Sequence, residues 1–196
     1  MTARQAVQVL ANEGLLERRR GSGTFVATQR VLRTLGSPLS FTESMRRRGM
    51  SASSMLIERG EVQPSEDERA ALSLGPRERG YLLERLRLAD GTPMAIERVV
   101  MPVAIAMSMP EDVESGSLHS AFERVGRVPT RADARVTARR PSARERRLLG
   151  LTTSGVVLSE HRTIFDQDGR PLERTETCYA AQRYSFEAVL YRNDDR

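Results

Sequence analysis

The sequence predicts an α+β fold built on an antiparallel sheet of about six strands. One reason is that Asp-Gly, the strongest short-range signal of a β-hairpin, occurs twice between β-prone segments, at Asp90-Gly91 and Asp168-Gly169. A second is that a helix with its own capping signal precedes each hairpin. A third is the composition: 196 residues with 39% apolar and 29% charged side chains are enough for a packed core. Since no apolar run approaches the roughly 18 residues of a membrane span, a membrane protein is excluded.

The two hairpins belong to an internal repeat. Its unit is a helix, a strand, an Asp-Gly turn and a second strand. Ser65 and Glu68 form the capping box of the first helix, and Ser142 and Glu145 form that of the second. We expect the helices to end near Gly75 and Gly150. Two further strands complete the predicted sheet, over residues 55–62 and 132–138.

The first 27 residues predict a small separate unit. Residues 2–12 have apolar positions near helical spacing, and Gly14 is placed to end that helix. Two β-prone stretches then flank Gly21-Ser22-Gly23, which is typical of a hairpin. A helix and a hairpin alone are too small to fold independently.

Three parts follow from these patterns. Residues 1–27 are a partial domain of one helix and a hairpin, residues 28–39 a weakly periodic linker, and residues 40–196 the larger domain. The capping pattern from Ser40 to Glu43 begins the first helix of that domain.

Charge is concentrated at the N-terminus. All 31 basic residues are arginine, and residues 1–34 contain six arginines against two glutamates. Such a patch favours a polyanion as partner. Cys178 is the single cysteine, so the chain forms no internal disulfide, and we expect no metal or cofactor. Residues 1–10 have no secretion signal, which predicts a cytoplasmic protein without a membrane partner.

Two arginines on one predicted strand suggest an anion clamp. Arg85 and Arg87 are two residues apart, so both side chains leave the same face of the sheet, where two guanidinium groups suit one phosphate or carboxylate. The alternative is a solvent-exposed arginine face. Glu97 and Glu173, each after an Asp-Gly turn, either accept hydrogen bonds from sugar hydroxyls or an amine, or pair with an arginine. His119 lies at a predicted helix start, where a polar surface or capping role is the simpler interpretation.

A helix followed directly by a basic hairpin is the second half of a winged helix. The helix then enters the major groove and the hairpin, the wing, contacts the backbone or minor groove. Arg18, Arg19 and Arg20 would contact phosphates. The sequence contains no nucleophile elbow, HExxH motif or other catalytic set, so we do not expect an enzyme.

Specific motifs carry a family resemblance. Residues 1–6, 12–18 and 21–26 resemble the end of the winged helix-turn-helix of the GntR family. Residues 40–50, 85–97 and 183–186 are similar to the effector-binding UTRA domain of its HutC subfamily, which has a chorismate lyase-like fold. The resemblance implies a dimeric bacterial transcription regulator, usually a repressor, that leaves its operator DNA when a small anionic molecule such as a phosphosugar binds.

The resemblance also assigns site residues. The implied effector-binding residues are Thr42, Arg85, Arg87, Glu97, Ser117, His119, Glu173 and Tyr179. The implied DNA-binding residues are Thr2, Arg4, Gln5, Arg18, Arg19, Arg20, Gly23 and Thr24. In family members that bind sugar phosphates, the two arginines and the Ser117 position hold the phosphate and the glutamates read the sugar. This chain departs from the family at His119, where tyrosine is common, and in the segment from Tyr179 to Tyr184.

The family places two further helices before the position of Thr2. We expect a start codon chosen inside the recognition helix; a truncated form and a regulator that has lost DNA binding are the alternatives. The last alternative corresponds to a stand-alone small-molecule sensor, and the likeness to chorismate lyase leaves an enzyme as a third hypothesis.

Overall fold

The computed structural model describes residues 2–12, 16–19, 21, 23–26, 30–34 and 40–188. The strands are β1 (Leu16–Arg19), β2 (Gly23–Val26), β3 (Val31–Thr34), β4 (Ala52–Val62), β5 (Gly80–Ala89), β6 (Thr92–Pro102), β7 (Arg131–Arg139), β8 (Val157–Phe165), β9 (Pro171–Ala180) and β10 (Tyr184–Glu187). The helices are α1 (Ala3–Asn12), α2 (Phe41–Arg46), α3 (Glu66–Ala71), α4 (Val103–Ala106), α5 (Leu118–Arg124) and α6 (Ala143–Leu149), with a 3-10 turn over Glu111–Glu114.

Six of these strands form one antiparallel sheet in the order β4-β5-β6-β9-β8-β7. The predicted α+β class and strand number are confirmed. The order also shows how the internal repeat is arranged: β4-β5-β6 and β7-β8-β9 are equivalent halves, and their last strands, β6 and β9, lie side by side at the centre. The halves are therefore related by an approximate twofold axis between β6 and β9.

The predicted caps and turns form as expected. Ser65 and Glu68 exchange hydrogen bonds at the start of α3, as Ser142 and Glu145 do at the start of α6. Gly150 ends α6 in the left-handed conformation. Helix α3 ends at Ala71, earlier than predicted.

Helix α2 forms only half of its predicted capping box. Ser40 accepts a hydrogen bond from the backbone N–H of Glu43, while the Glu43 carboxylate pairs with Arg46 and Arg47 instead of returning to the cap. The competing arginines, one turn further along, explain the difference.

Helices cover both faces of the sheet. Leu149 of α6 packs against Leu86 and Ile96 on one face. On the opposite face, Phe122 of α5 packs against Leu83. Met45 of α2 packs on the same face, in a cluster with Val31, Ala89, Met94, Ala95, Tyr179 and Tyr184. Because strand residues alternate between faces, the odd-numbered residues of β5 and β6 around positions 85 and 97 lie under α2 and α5.

The N-terminal part contains the predicted helix and hairpin. Helix α1 is followed by the antiparallel pair β1-β2, with Arg18 opposite Thr24. The predicted linker contains a strand that the sequence did not predict: β3 pairs in parallel with β10, near the far end of the chain. Gly14, Ser22 and residues 27–29 and 35–39 lie outside the described residues. Within the described ranges, no helix has the length and apolarity needed to cross a membrane.

Candidate functional site

The register of the central strands places a row of charged and polar side chains under α2 and α5. Arg85 on β5 lies opposite Glu97 on β6, which lies opposite Thr177 on β9, which in turn lies opposite Glu160 on β8. Residues directly opposite each other in a sheet share a face. Arg85, Glu97, Thr177 and Glu160 are all buried, so this row crosses the centre of the sheet away from water.

Arg85 is fully engaged within the protein. Its Nε donates to Glu97 Oε2 at 3.0 Å, and its Nη2 donates to the same oxygen. Its Nη1 donates to the carbonyls of Val113 (2.8 Å) and Gly116 (3.0 Å), just before α5. Burial alone would raise the pKa of Glu97, but the charges of Arg85 and Arg87 lower it to about 2. Arg85 therefore ties the segment before α5 to the sheet.

Arg87 is buried with fewer partners. Its Nη2 donates to Thr42 Oγ1 at 3.0 Å, its Nη1 reaches the Gly116 carbonyl at 3.4 Å, and its guanidinium lies 4.8 Å from the centre of the Phe41 ring. Its Nε is buried without a hydrogen-bond partner. Burial, together with the charge of Arg85, lowers the pKa of Arg87 to about 10. Arg87 is thus a cation with an incomplete set of acceptors.

The two arginines share one face of the sheet, as their spacing predicted. The alternative interpretation, a solvent-exposed arginine face, is wrong. Arg85 is 1% exposed and Arg87 is 2% exposed. Glu97 pairs with Arg85, which confirms the arginine-pairing alternative for that glutamate.

A second arginine and carboxylate occupy the other half of the sheet. Arg162 Nη2 lies 3.8 Å from Glu173 Oε1, while Arg162 Nε and Glu173 Oε2 are buried without hydrogen-bond partners. Burial raises the pKa of Glu173 to about 7, although Arg162 acts in the opposite direction. The Glu173 carboxyl therefore binds a proton much more readily than an ordinary glutamate.

The internal repeat explains why Arg162 lacks a close partner. Arg162 lies opposite Thr175 on β9, and Thr175 lies opposite Val99 on β6. When one half of the sheet is superposed on the other, Arg162, Thr175 and Val99 fall on the positions of Arg85, Glu97 and Thr177. Arg162 is consequently the counterpart of Arg85, with a threonine where the first half has its carboxylate.

Ser117 and His119 lie at the start of α5. Ser117 is the capping residue: its Oγ accepts a hydrogen bond from Ser120 N at 3.3 Å and lies 3.4 Å from Ser40 Oγ. His119 is half-buried, and its Nε2 is buried without a partner. Burial first, and then the charge of Arg162, lowers the pKa of His119 to about 3, so the imidazole is neutral. The capping role considered for His119 is therefore wrong, because Ser117 has it.

Tyr179 extends the site towards the linker strand. Its hydroxyl donates to Glu160 Oε2 at 3.0 Å and accepts from Arg33 Nη1 at 2.9 Å. Sequence reasoning missed Arg33, Glu160 and Arg162. Arg162 was detectable through the repeat, because it is the counterpart of Arg85, whereas the counterpart of Glu160 is the apolar Leu83. Arg33 had no such signal.

The residues assigned to DNA lie on α1 and the wing. Thr2, Arg4 and Gln5 are exposed, and Thr2 and Gln5 cap α1 reciprocally, through Thr2 N to Gln5 Oε1 (2.9 Å) and Gln5 N to Thr2 Oγ1 (3.3 Å). Gly23 and Thr24 are exposed on β2. Arg18 and Arg19 belong to β1, and Arg20 lies outside the described residues.

Comparison with known proteins decides the family. The UTRA domain family matches residues 47–185, which contain most of the site. The chain is a GntR-family regulator with a UTRA domain. It is 35% identical over 187 residues to the HTH-type transcriptional repressor NagR of Bacillus subtilis, covering 95% of this chain and 77% of NagR. It is 27% identical to the mannosyl-D-glycerate transport/metabolism system repressor MngR of Escherichia coli, covering 100% of this chain and 82% of MngR.

Solved structures of the family have the same fold. The crystal structure of PhnF from Mycobacterium smegmatis superposes with a TM-score of 0.80 at 27% identity, covering 96% of this chain and 83% of PhnF. Its separate effector domain matches with a TM-score of 0.74 over 83% of this chain. The GntR and UTRA resemblance and the fold expected from it are confirmed.

Membership of this family makes the chain an effector-responsive, DNA-binding transcriptional regulator of the repressor type. The stand-alone sensor is not favoured, because the relatives that match nearly the whole chain are repressors. These relatives are transcription regulators rather than enzymes.

Proposed function

We propose that this regulator is a homodimeric repressor that leaves its operator when a small anionic metabolite, such as a phosphosugar, binds under α2 and α5. The observation that carries the proposal is Arg87, a buried guanidinium with an unpartnered Nε and the hydroxyl of Thr42 beside it. Burying an incompletely paired cation is costly, and an anionic ligand would remove that cost.

The buried charges on this face support an anion. Among the described residues, they comprise the guanidiniums of Arg33, Arg85, Arg87 and Arg162 and the carboxylates of Glu97, Glu160 and Glu173. Because the pKa of Glu173 is about 7, the positive charges exceed the negative by between one and two at neutral pH. A phosphate monoester or a carboxylate carries a charge of that size.

The rest of the site suits a sugar. Glu173 Oε2 and His119 Nε2 are buried polar atoms without partners, and Thr175 Oγ1 lies two residues from Glu173 with the same property. Hydroxyl groups of a ligand both donate and accept, so they satisfy such a mixed set. The name of MngR links that relative to mannosyl-D-glycerate, a sugar that carries a carboxylate.

For ligand binding, the test is calorimetric titration with N-acetylglucosamine 6-phosphate, glucosamine 6-phosphate and non-phosphorylated sugar acids. Arg87→Ala should weaken binding of the phosphosugar about tenfold to a hundredfold, as expected for loss of a buried charge-assisted bond. The matched control is Arg131→Ala, since Arg131 is exposed and contacts Asp133 and the Phe165 ring, away from the candidate site. Tight binding of a carboxylate or neutral sugar that ignores Arg87→Ala would reject the phosphosugar.

For operator DNA, we propose that α1 enters the major groove and the wing contacts the backbone, with Arg4 as a phosphate or base contact. The protein, extended by the residues encoded in frame upstream of Met1, is tested against promoter fragments from its genomic neighbourhood at several salt concentrations. Specific binding should weaken with salt, and Arg4→Ala should weaken it further while Arg131→Ala does not. Absence of specific binding to any such fragment would reject this assignment.

We also propose that two copies associate through contacts between their sheets, and that the resulting dimer binds a palindromic operator. Sedimentation at micromolar concentration should give a dimer. A monomer across that range would contradict the proposal.

A further inference from the structure

The linker strand β3 places a charged residue in the interior. Val31 and Arg33 are buried, at 3% and 8% exposure, while Leu32 between them is 48% exposed. Alternate residues of β3 therefore face the larger domain. Burial of a guanidinium from a connecting segment is costly, so Arg33 needs specific partners.

Those partners belong to the candidate effector site. Arg33 Nη1 donates to Glu160 Oε2 at 2.7 Å and to the Tyr179 hydroxyl at 2.9 Å, and the same hydroxyl donates to Glu160 at 3.0 Å. These three side chains form a closed, buried triangle, which we call the β3 lock. The guanidinium of Arg33 also lies 5.6 Å from the centre of the Phe186 ring on β10.

The β3 lock is connected to the charged side chains of the sheet in two ways. Glu160 lies opposite Thr177, which lies opposite Glu97. Along β8, Glu160 shares its face with Arg162, two residues further on. The charge of Arg33 also contributes to the low pKa of His119, which shows that the two side chains are electrostatically coupled.

We propose that Arg33 is the positioning residue through which the linker strand responds to the effector site. An anion in the site stabilises the docked β3, and a docked β3 raises the affinity for the anion. The physical reason is that Arg33, bonded to Glu160 in the site, adds a buried positive charge there, and a bound anion is attracted to that charge. Linkage requires the two effects to be equal in size. The anion itself rests on the proposed function.

Hydrogen exchange of the backbone amides of residues 31–34, measured by mass spectrometry, tests the proposal together with calorimetry. The probe is N-acetylglucosamine 6-phosphate. At saturation it should slow exchange of these amides at least fivefold in the unmodified chain. Arg33→Met should weaken probe binding by a similar factor, and Arg33→Lys should restore part of it. Leu32→Ala, the exposed neighbour on the same strand, should change neither quantity.

A second arm needs no ligand. Tyr179→Phe keeps the ring that stacks on Tyr184 but removes the hydroxyl that accepts from Arg33 and donates to Glu160, which opens the β3 lock at one corner. Exchange of residues 31–34 should become at least fivefold faster in this variant. An unchanged rate, or an Arg33→Met variant that binds the probe within twofold of the unmodified chain, would overturn the proposal.

The two arms separate this proposal from the proposed function. If Arg87→Ala abolishes probe binding while Arg33→Met does not weaken it, the effector site stands and the β3 lock is refuted as a coupling device. If the unmodified chain binds no anion, the proposed ligand class and its coupling to β3 are both wrong, and the Tyr179→Phe result decides whether the site holds the strand.

Discussion

Arg85 and Arg87 lie two residues apart on β5, yet we expect their removal to change stability in opposite directions. Arg85 has a hydrogen-bonded carboxylate and two carbonyls as partners, whereas Arg87 has one hydroxyl, one long contact to a carbonyl, the Glu97 carboxylate at 3.9 Å and an Nε without a partner. The prediction compares Arg85→Met with Arg87→Met, since methionine replaces the arginine stem with an apolar side chain.

The magnitudes follow from these contacts. Arg85→Met leaves the buried Glu97 without a hydrogen-bonded cation, with Arg87 at 3.9 Å and the charge of Arg162 as partial compensation, so unfolding should become easier by about 3–5 kcal/mol. For Arg87, a pKa of about 10 corresponds to a cost on the order of 3 kcal/mol for keeping the buried group charged. Methionine removes that cost but also loses the bond to Thr42 and the contact with Phe41, each worth roughly 1 kcal/mol. Arg87→Met should therefore be more stable than the unmodified chain by about 1 kcal/mol.

Urea unfolding followed by circular dichroism at neutral pH, without ligand, measures both variants. Arg87→Met should be more stable and at the same time bind the anion more weakly. A gain in stability with a loss of binding is expected when a residue serves binding at the expense of stability. The reasoning would be refuted if the two variants lost similar amounts of stability, or if Arg87→Met were the less stable of the two.

Three further predictions concern single residues. The pKa of Glu173 in the folded protein, about 7, lies above its ordinary value, so ionisation of Glu173 opposes folding and the free energy of unfolding falls as the pH rises from about 5 through 7. Glu173→Gln should remove this fall. In urea titrations the variant should gain on the order of 3 kcal/mol above pH 8 and little at pH 4. Ser142→Ala should cost about 1 kcal/mol by loss of the α6 cap, and a change in the unfolding midpoint no larger than that of a surface variant would contradict it. Gly150→Ala should cost roughly 1–2 kcal/mol in the same assay because Gly150 has φ 58, and a neutral result would mean that the cap rearranges.

Local signals predicted most of the fold. The capping pairs at Ser65 and Ser142 and the turn at Asp90-Gly91 are contained within a few residues, so their structures follow from their own chemistry. Strand β3 is different. Its four residues have no strong pattern, and its partner β10 is at the other end of the chain, so no short window of sequence contains the pair.

The sequence predicted which face of the sheet the two site arginines lie on, but not which residues surround and bury them. Spacing alone placed Arg85 and Arg87 on one face, and the structure agrees. Their burial depends on Phe41 and on the segment at Gly116, which are distant in sequence. Arg33 illustrates the same limit, because its partners Glu160 and Tyr179 are 127 and 146 residues away. Which residues bind the effector and the operator remains a prediction.

The pairing of β3 with β10 has a consequence for the order of folding. Each half of the sheet is built from neighbouring segments and closes short loops, whereas the contact of Arg33 with Tyr179 closes a loop of 146 residues. Contacts of that span gain nothing until the rest of the domain has formed its docking surface. The strand that joins the N-terminal helix and hairpin to the UTRA domain should thus be the last to assemble and the first to open, so a newly made chain should complete its six-stranded sheet before β3 docks on it.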